Sequence, residues 1–313
     1  MGVTALAGGI GAGKFLRGLR RVVGDGQLTV IGNTGDDLVI HGLRVCPDLD
    51  SVTYWLSGAG DRERGWGRGG ETFRATEELR RLAPERGWFG LGDLDLAVHL
   101  LRTGRLAEGA ALSTVTAEIA AALDLRVRIL PMSDDPVTTR VLVDGEGGER
   151  DLHFQEYWVR GGGRDPVRSI RYDGAAAAHP APGVLDAIGT ADAIVVCPSN
   201  PVASIGPILA VPGIRGALAA RRDRVVGVSG IVAGAPLGGM ADRLLPAIGA
   251  EVSALGAARC YDGFLGGWLI DERDRDLAPA IAATGLRVGV TDTIMTDDDV
   301  AESVARAALG LLP

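Results

Sequence analysis

A β-type apolar run, Val3 to Ala7, passes directly into the glycine-rich string GGIGAGK, residues 8–14. Helical apolar spacing follows from Phe15 to Val23, and a second β-type run covers Leu28 to Ile31. Strand, glycine turn, helix and strand in that order form a β-α-β unit, which commits this part of the chain to a parallel sheet. The same kind of run returns late in the chain, at Ala193 to Cys197, Val225 to Val228, Trp268 to Ile270 and Arg287 to Val290. A final helix is expected from Val300 to Leu312.

The middle of the chain breaks this alternation. Residues 58–92 are rich in Trp, Gly and Arg. Helices are expected over 94–106 and 113–123, and a strand over 126–130. A hairpin is expected from strands at 138–143 and 151–159 around Gly145 to Gly148. The reading is one α/β domain, a Rossmann-like parallel sheet with helices on both faces. Its core comes from about residues 1–57 and 190–313, and a helical and β-hairpin subdomain, about 58–189, is inserted.

Composition narrows the function. The 313 residues carry a net charge of -8, which disfavours nucleic acid as a partner. Cys46, Cys197 and Cys260 are far apart, without the spacing of a zinc site or a disulfide framework. The start MGVTALAGG lacks the basic region and long apolar core of a signal peptide, and no apolar run reaches membrane-spanning length. A soluble cytoplasmic protein is expected. Lys14 is the only lysine; a compact point charge inside a glycine string suits phosphate.

The string matches the P-loop pattern through Gly8, Gly13 and Lys14, then departs from it, because Phe15 stands where the metal-binding hydroxyl belongs. The dinucleotide spacing is not met either, since from Gly9 and Gly11 the third glycine position is Lys14. Backbone N–H groups and a helix N-terminus can still receive phosphate, but a metal must be held elsewhere. Asp36 and Asp37 follow the second strand, and Asp48 and Asp50 come soon after; hard carboxylate oxygens beside a diphosphate are the usual way to hold Mg²⁺. The competing reading of Asp48 or Asp50 is an N-cap for residues 51–56. Asp93 and Asp95 form a further pair, one of them a candidate N-cap. Asp134 and Asp135 read as a turn. The four histidines, His41, His99, His153 and His179, lack metal spacing and read as structural.

Eight strings occur in order over nearly the whole chain: GGIGAGKF, NTGDD, CPDLDSVTYWL, WFGLGDLDLAVHL, LPMSDDPV, HFQEYWV, PSNPVASIGPIL and DTIMTD. Together they resemble the 2-phospho-L-lactate transferase family, including its actinobacterial-type phosphoenolpyruvate transferase branch. The resemblance implies a Mg²⁺-dependent, dimeric enzyme of coenzyme F420 biosynthesis. Its donor would be enolpyruvyl- or lactyl-diphosphoguanosine, its acceptor the ribityl hydroxyl of the deazaflavin Fo, and GMP would leave. It further implies that Asp36 and Asp50 hold the metal and carry catalysis. Gly8, Gly9, Gly11, Lys14, Ser199, Asn200, Ser204, Ile205 and Gly206 would line the nucleotide. Asp50, Gly90 and Asp93 would meet the deazaflavin. Relatives often carry Lys or Asn where this chain has Gly90, so only a backbone contact is expected there. The alternative function is a non-catalytic nucleotide sensor of the same superfamily, a class expected to lack Asp36, Asp50 and the WFGLGD segment.

Overall fold

The structure is a computed structural model, and it describes residues 1–145 and 147–313. Seven parallel strands form the central sheet: β1 (Val3–Ala7), β2 (Leu28–Gly32), β5 (Arg128–Pro131), β9 (Ala193–Val196), β10 (Val225–Val228), β13 (Gly267–Asp271) and β14 (Arg287–Thr291). Their order is β14-β13-β10-β9-β1-β2-β5. From β1 the chain builds outward through β2 to β5, then crosses back to β9 and builds outward on the other side. The strand order therefore reverses between β1 and β9, the place where open α/β sheets form a ligand crevice at their carboxyl ends.

Period-two alternation explains why both faces are covered. Ala5, Val30, Ile129, Val195 and Val226 point into one apolar core, beneath helices α1 (Gly9–Val23), α2 (Pro47–Ser57), α5 (Leu112–Ala122) and α12 (Asp298–Leu309). Their neighbours Leu6, Ile31, Leu130, Ile194 and Val225 point into the other. That second core lies beneath α6 (Val184–Thr190), α7 (Gly206–Ala210), α8 (Ile214–Ala219), α9 (Ala241–Ala247) and α10 (Ala254–Arg259). Helix α11 (Ala278–Ala282) and the small hairpin of β11 (Ile231–Val232) and β12 (Ala235–Pro236) complete this side.

The segment expected as an insertion contributes more than expected. Its strand β5 is the edge of the central sheet, pairing with β2 from Thr29↔Arg128 to Gly32↔Pro131. Around β5 lie α3 (Arg74–Leu82), α4 (Asp93–Ala107), α5 and a three-stranded antiparallel sheet, β6 (Thr138–Gly145), β7 (Gly148–His153) and β8 (Val167–Asp173). The expected hairpin is present as β6 and β7, with Glu146 of its turn outside the described residues. Its second strand is shorter than expected: β7 stops at His153, and a π-helical turn, Glu156–Arg160, takes over and buries Tyr157. The run from Asp151 to Val159 is apolar enough for either state, and periodicity does not separate them at that length. A further hairpin, β3 (Leu38–Ile40) with β4 (Leu43–Val45), turns through His41 and Gly42, both at positive φ as a type I′ turn requires.

Helix α1 is locked from the far end of the chain. Gly18 faces the backbone of Ala301 in α12, leaving no room for a Cβ. Arg17 pairs with Asp298, and Arg21 with Asp299 and Glu302 at 2.7 and 3.0 Å. The Arg21 pairs are exposed and contribute little, so close packing dominates. Gly18→Ala should destabilise the protein by about 1–3 kcal/mol through overpacking, measured as a lower midpoint in thermal unfolding; an unchanged midpoint would mean that the α1–α12 contact has slack.

Candidate active site

The loop after β1 is shorter than a P-loop. Gly8 alone separates the strand from α1, and Gly9 to Lys14 already lie in the helix. Three glycines serve close approach. A Cβ on Gly8 would strike Asp48 and Ser204, one on Gly11 would sit 2.6 Å from the carbonyl oxygen of Pro198, and one on Gly13 2.7 Å from the Trp55 ring. The string thus brings the α1 N-terminus against the loop after β9, where the Gly8 amide donates to Ser199 Oγ at 3.2 Å. Lys14 stands exposed one turn into α1, with Nζ 6.0 Å from the Trp55 ring centroid.

Residues 199–206 close the other side of this crevice. Asn200 Oδ1 caps the following π-helical turn, accepting from Val202 N at 2.9 Å and Ala203 N at 3.1 Å. Its Nδ2 is left without a partner. Ser204 lies beside Gly8, Ile205 is fully buried, and a Cβ on Gly206 would strike the Tyr172 hydroxyl. The structure therefore brings Gly8, Gly9, Gly11, Ser199 and Ser204 together at the switch between β1 and β9.

Behind them four carboxylates are buried: Asp36, Asp37, Asp48 and Asp50. Asp36 and Asp37 follow β2; Asp48 and Asp50 lie in the first turn of α2, with Cys46 at the N-cap position and Pro47 opening the helix, so neither is the cap. Asn33 Nδ2 lies between Asp36 Oδ1 at 3.2 Å and Asp48 Oδ2 at 2.9 Å. Gln155, from the turn after β7, donates to Asp36 Oδ2 at 2.8 Å. Burial, followed by the like charges of Asp48 and Asp37, holds the Asp36 carboxyl well above the usual range. Burial likewise pushes Asp48 to about 6. Asp37 rises to about 7 by burial, although Arg44 stands 3.0 Å from it.

Asp50 has a different environment. Arg102 on α4 holds it through both guanidinium nitrogens, and His99, one turn earlier, is 3.7 Å from its carboxylate. Burial lowers His99 to about 4, so the ring is neutral. Asp36 and Asp48 share the Asn33 amide, and Asp50 is held by Arg102; the resemblance had implied Asp36 and Asp50 as the metal-holding pair. Sequence reasoning missed Asn33, Gln155 and Arg102, and read His99 as structural. A signal for part of this was present: Asp95, His99 and Arg102 repeat at helical spacing, and all three are buried.

Asp93 is the first residue of α4, and Gly90 lies in the segment before it. Asp93 accepts from the Thr72 hydroxyl and from Ala75 N at 3.2 Å, capping α3 from outside it. Glu71, not Asp93 or Asp95, receives the Leu94 amide at the start of α4. Gly90 passes the Trp66 ring, 3.3 Å from the position of a Cβ. Asp95 is buried and raised to about 7, by burial first and then by Asp50. Asp134 caps α5 at Ser113, and Asp135 receives the His179 amide.

Among the described residues no three His, Cys, Asp or Glu side chains converge as a ready-made metal cage. The donor set still fits a hard cation. Asp36 and Asp48 bring carboxylate oxygens to either side of the Asn33 amide, and Asp37 Oδ1 is buried without a partner; a diphosphate in the crevice would add further hard oxygens.

The sequence matches the family described as 2-phospho-L-lactate transferase CofD over residues 3–300. It is 51% identical to a phosphoenolpyruvate transferase of Streptomyces griseus subsp. griseus, over 99% of this chain and 98% of that one. A phosphoenolpyruvate transferase of Thermobifida fusca is 48% identical, with the same coverage. Among solved structures, protein BH3568 of Bacillus halodurans has a similar fold, with TM-score 0.64 at 19% identity, over 98% of this chain and 99% of that one.

Two outcomes follow from the buried charges. A carboxyl whose folded pKa is raised contributes stability at low pH and loses it as pH rises through the folded value. With a chelator present, thermal stability should therefore fall as pH rises from about 4 to about 7, and Asp48→Asn should flatten part of that fall; an unchanged profile would remove Asp48 from the cause. Arg102→Met strands Asp50 and should cost about 3–5 kcal/mol in urea unfolding, with the double variant Asp50→Asn/Arg102→Met recovering part of the loss.

Proposed function

The chain belongs to the 2-phospho-L-lactate transferase family, and from that premise we propose that it transfers an enolpyruvyl phosphate from its GDP-activated form to the deazaflavin Fo. The acceptor is the terminal ribityl hydroxyl, GMP is released, and 2-phospho-L-lactate is the second acid of the same class. The enzyme is a phospho-acid transferase of coenzyme F420 biosynthesis. The names of its relatives do not favour the nucleotide-sensing alternative, and Asp36, Asp50 and the WFGLGD segment are all present. The observation that carries the reading is the acidic cluster, Asp36, Asp37, Asp48 and Asp50, set against the crevice between β1 and β9.

The geometry supports a division of labour. The N-terminus of α1, with Gly8, Gly9, Gly11 and the exposed Lys14, faces the donor's diphosphate, where oriented amides and a cation favour anionic oxygens. Ser199, Asn200, Ser204, Ile205 and Gly206 form the opposite wall, for the guanosine side of the donor. We assign Mg²⁺ to Asp36, with Asp48 joining it and Asp50 in the same cluster but held by Arg102. A bound Mg²⁺ would neutralise charge on the diphosphate and on the departing GMP.

Asp50 then lies on the acceptor side, fixed by Arg102 through both oxygens. There it orients the ribityl hydroxyl and takes its proton as the new P–O bond forms. Gly90 and Asp93 mark the deazaflavin end of the same cleft. Positioning of this kind is a major source of rate in phosphoryl transfer. We further propose a cytoplasmic homodimer. Its support is the set of free cysteines and the apolar face that Leu94, Leu100 and Leu101 expose on α4.

The test is incubation of purified protein with Fo, Mg²⁺ and each activated acid in competition, with mass spectrometry of the product and assay of GMP. Formation of the enolpyruvyl diester is expected; absence of any Fo adduct would overturn the reading. Asp50→Asn should abolish transfer while GDP affinity stays within about twofold; retained transfer would take Asp50 out of the mechanism.

A further inference from the structure

Trp66 is a large aromatic residue left 40% exposed in a loop otherwise made of charge and glycine. Several hydrogen bonds tie the loop's backbone together. Asp61 N donates to Gly67 O at 3.1 Å, Gly69 N to Ala59 O at 2.8 Å, and Arg68 N to Glu71 Oε1 at 2.9 Å. Glu71 in turn receives the Leu94 amide, which pins the loop to the start of α4.

The ring itself is braced. Phe73 meets it edge-on, with centroids 5.8 Å apart and planes at 65°. The Arg64 guanidinium sits 4.7 Å from its centroid, and that guanidinium is held by the carbonyls of Trp66 and Arg68 at 3.0 and 2.9 Å. Gly90 passes the ring edge so closely that a Cβ there would already crowd Cη2. The bracing fixes a partly exposed aromatic face in advance, which lowers the ordering cost for a flat ligand that covers it.

The loop is also joined to the catalytic cluster. Gly67, next to Trp66, lies against Asp95, with Oδ2 3.3 Å from where a Cβ would be. Asp95 feels the charge of Asp50. Arg68, two residues after Trp66, lies 5.8 Å over the ring of Tyr54 on α2. The loop that carries the indole is therefore linked to α2, which holds Asp50, and to α4, which holds Arg102.

We propose that Trp66 is the stacking platform for the aromatic ring system of the acceptor. This rests on the reading that a deazaflavin is the acceptor and that its ribityl end lies at Asp50. A flat heteroaromatic ring gains from a preorganised aromatic face whatever its polar edge pattern. Such a platform governs acceptor binding and leaves the donor site untouched. Trp66 is thus a positioning residue that acts on where the ribityl hydroxyl lies.

The experiment measures Fo binding by the deazaflavin's own fluorescence, together with KM and kcat, in wild type, Trp66→Phe and Trp66→Ala. Trp66→Ala should weaken Fo binding and raise KM for Fo by about tenfold or more, with GDP affinity unchanged. Trp66→Phe, which keeps an aromatic face and guards against a folding artefact, should lose less than about threefold. Wild type that fails to bind Fo would overturn the functional reading itself. Wild type that binds Fo, with Trp66→Ala binding it equally well, would overturn the platform alone. So would a Trp66→Ala variant whose only change is its sedimentation coefficient, since that would make the indole a contact between subunits.

Discussion

Asp36 and Asp48 are buried on either side of one side-chain amide, that of Asn33, and this crowding of negative charge is the constraint on which the rest of the site depends. With Asp37 and Asp50 the cluster holds four carboxylates, answered within the protein by two guanidiniums, Arg44 and Arg102. Buried charge of one sign must be neutralised by protons, by hydrogen bonds or by a counter-ion. The surrounding elements show each response. Protons are favoured on Asp36, Asp37 and Asp48. Donors arrive from distant parts of the chain, Gln155 from the turn after β7 and Arg102 from α4. The remaining deficit is what a cation with a bound diphosphate would meet.

The middle segment takes its meaning from this cluster. In sequence it looks like a digression from the α/β alternation. In space it supplies the groups that make the acidic cluster tenable: Arg102 for Asp50, Gln155 for Asp36, and His153, whose ring lies 3.1 Å from the Asp37 carbonyl. It also supplies the sheet's edge strand β5. The insertion is better described as the second wall of the site than as an appendage to the core.

The sheet was legible because its strands are buried on both faces and read as unbroken apolar runs; β1, β2, β9 and β10 sit where those runs lie. The strand-to-helix passage at Gly8 was legible too, but its purpose was only half visible. A glycine needed for phosphate and a glycine needed because Asp48, Pro198 or Trp55 occupies the space of its Cβ look the same in a sequence. The carboxylates were visible as residues, while their partners were not, because Asp36 and Gln155 are separated by more than a hundred residues and no local pattern joins them. The eight ordered strings carried the family, whereas the grouping of Asp36 with Asp48 had to come from the geometry.

The packing of α12 onto α1 bears on how the chain acquires its site. The crevice needs β9 beside β1, and α1 is held in place by Gly18 against Ala301. During synthesis, the first strand and helix emerge long before either partner exists. Until residues beyond 300 are available, α1 lacks the neighbour that fixes it. Contacts this distant in sequence close slowly, so the site is among the last parts of the molecule to become complete. A nascent chain would therefore carry its glycine string and aspartates for most of its length without the ability to bind what they recognise.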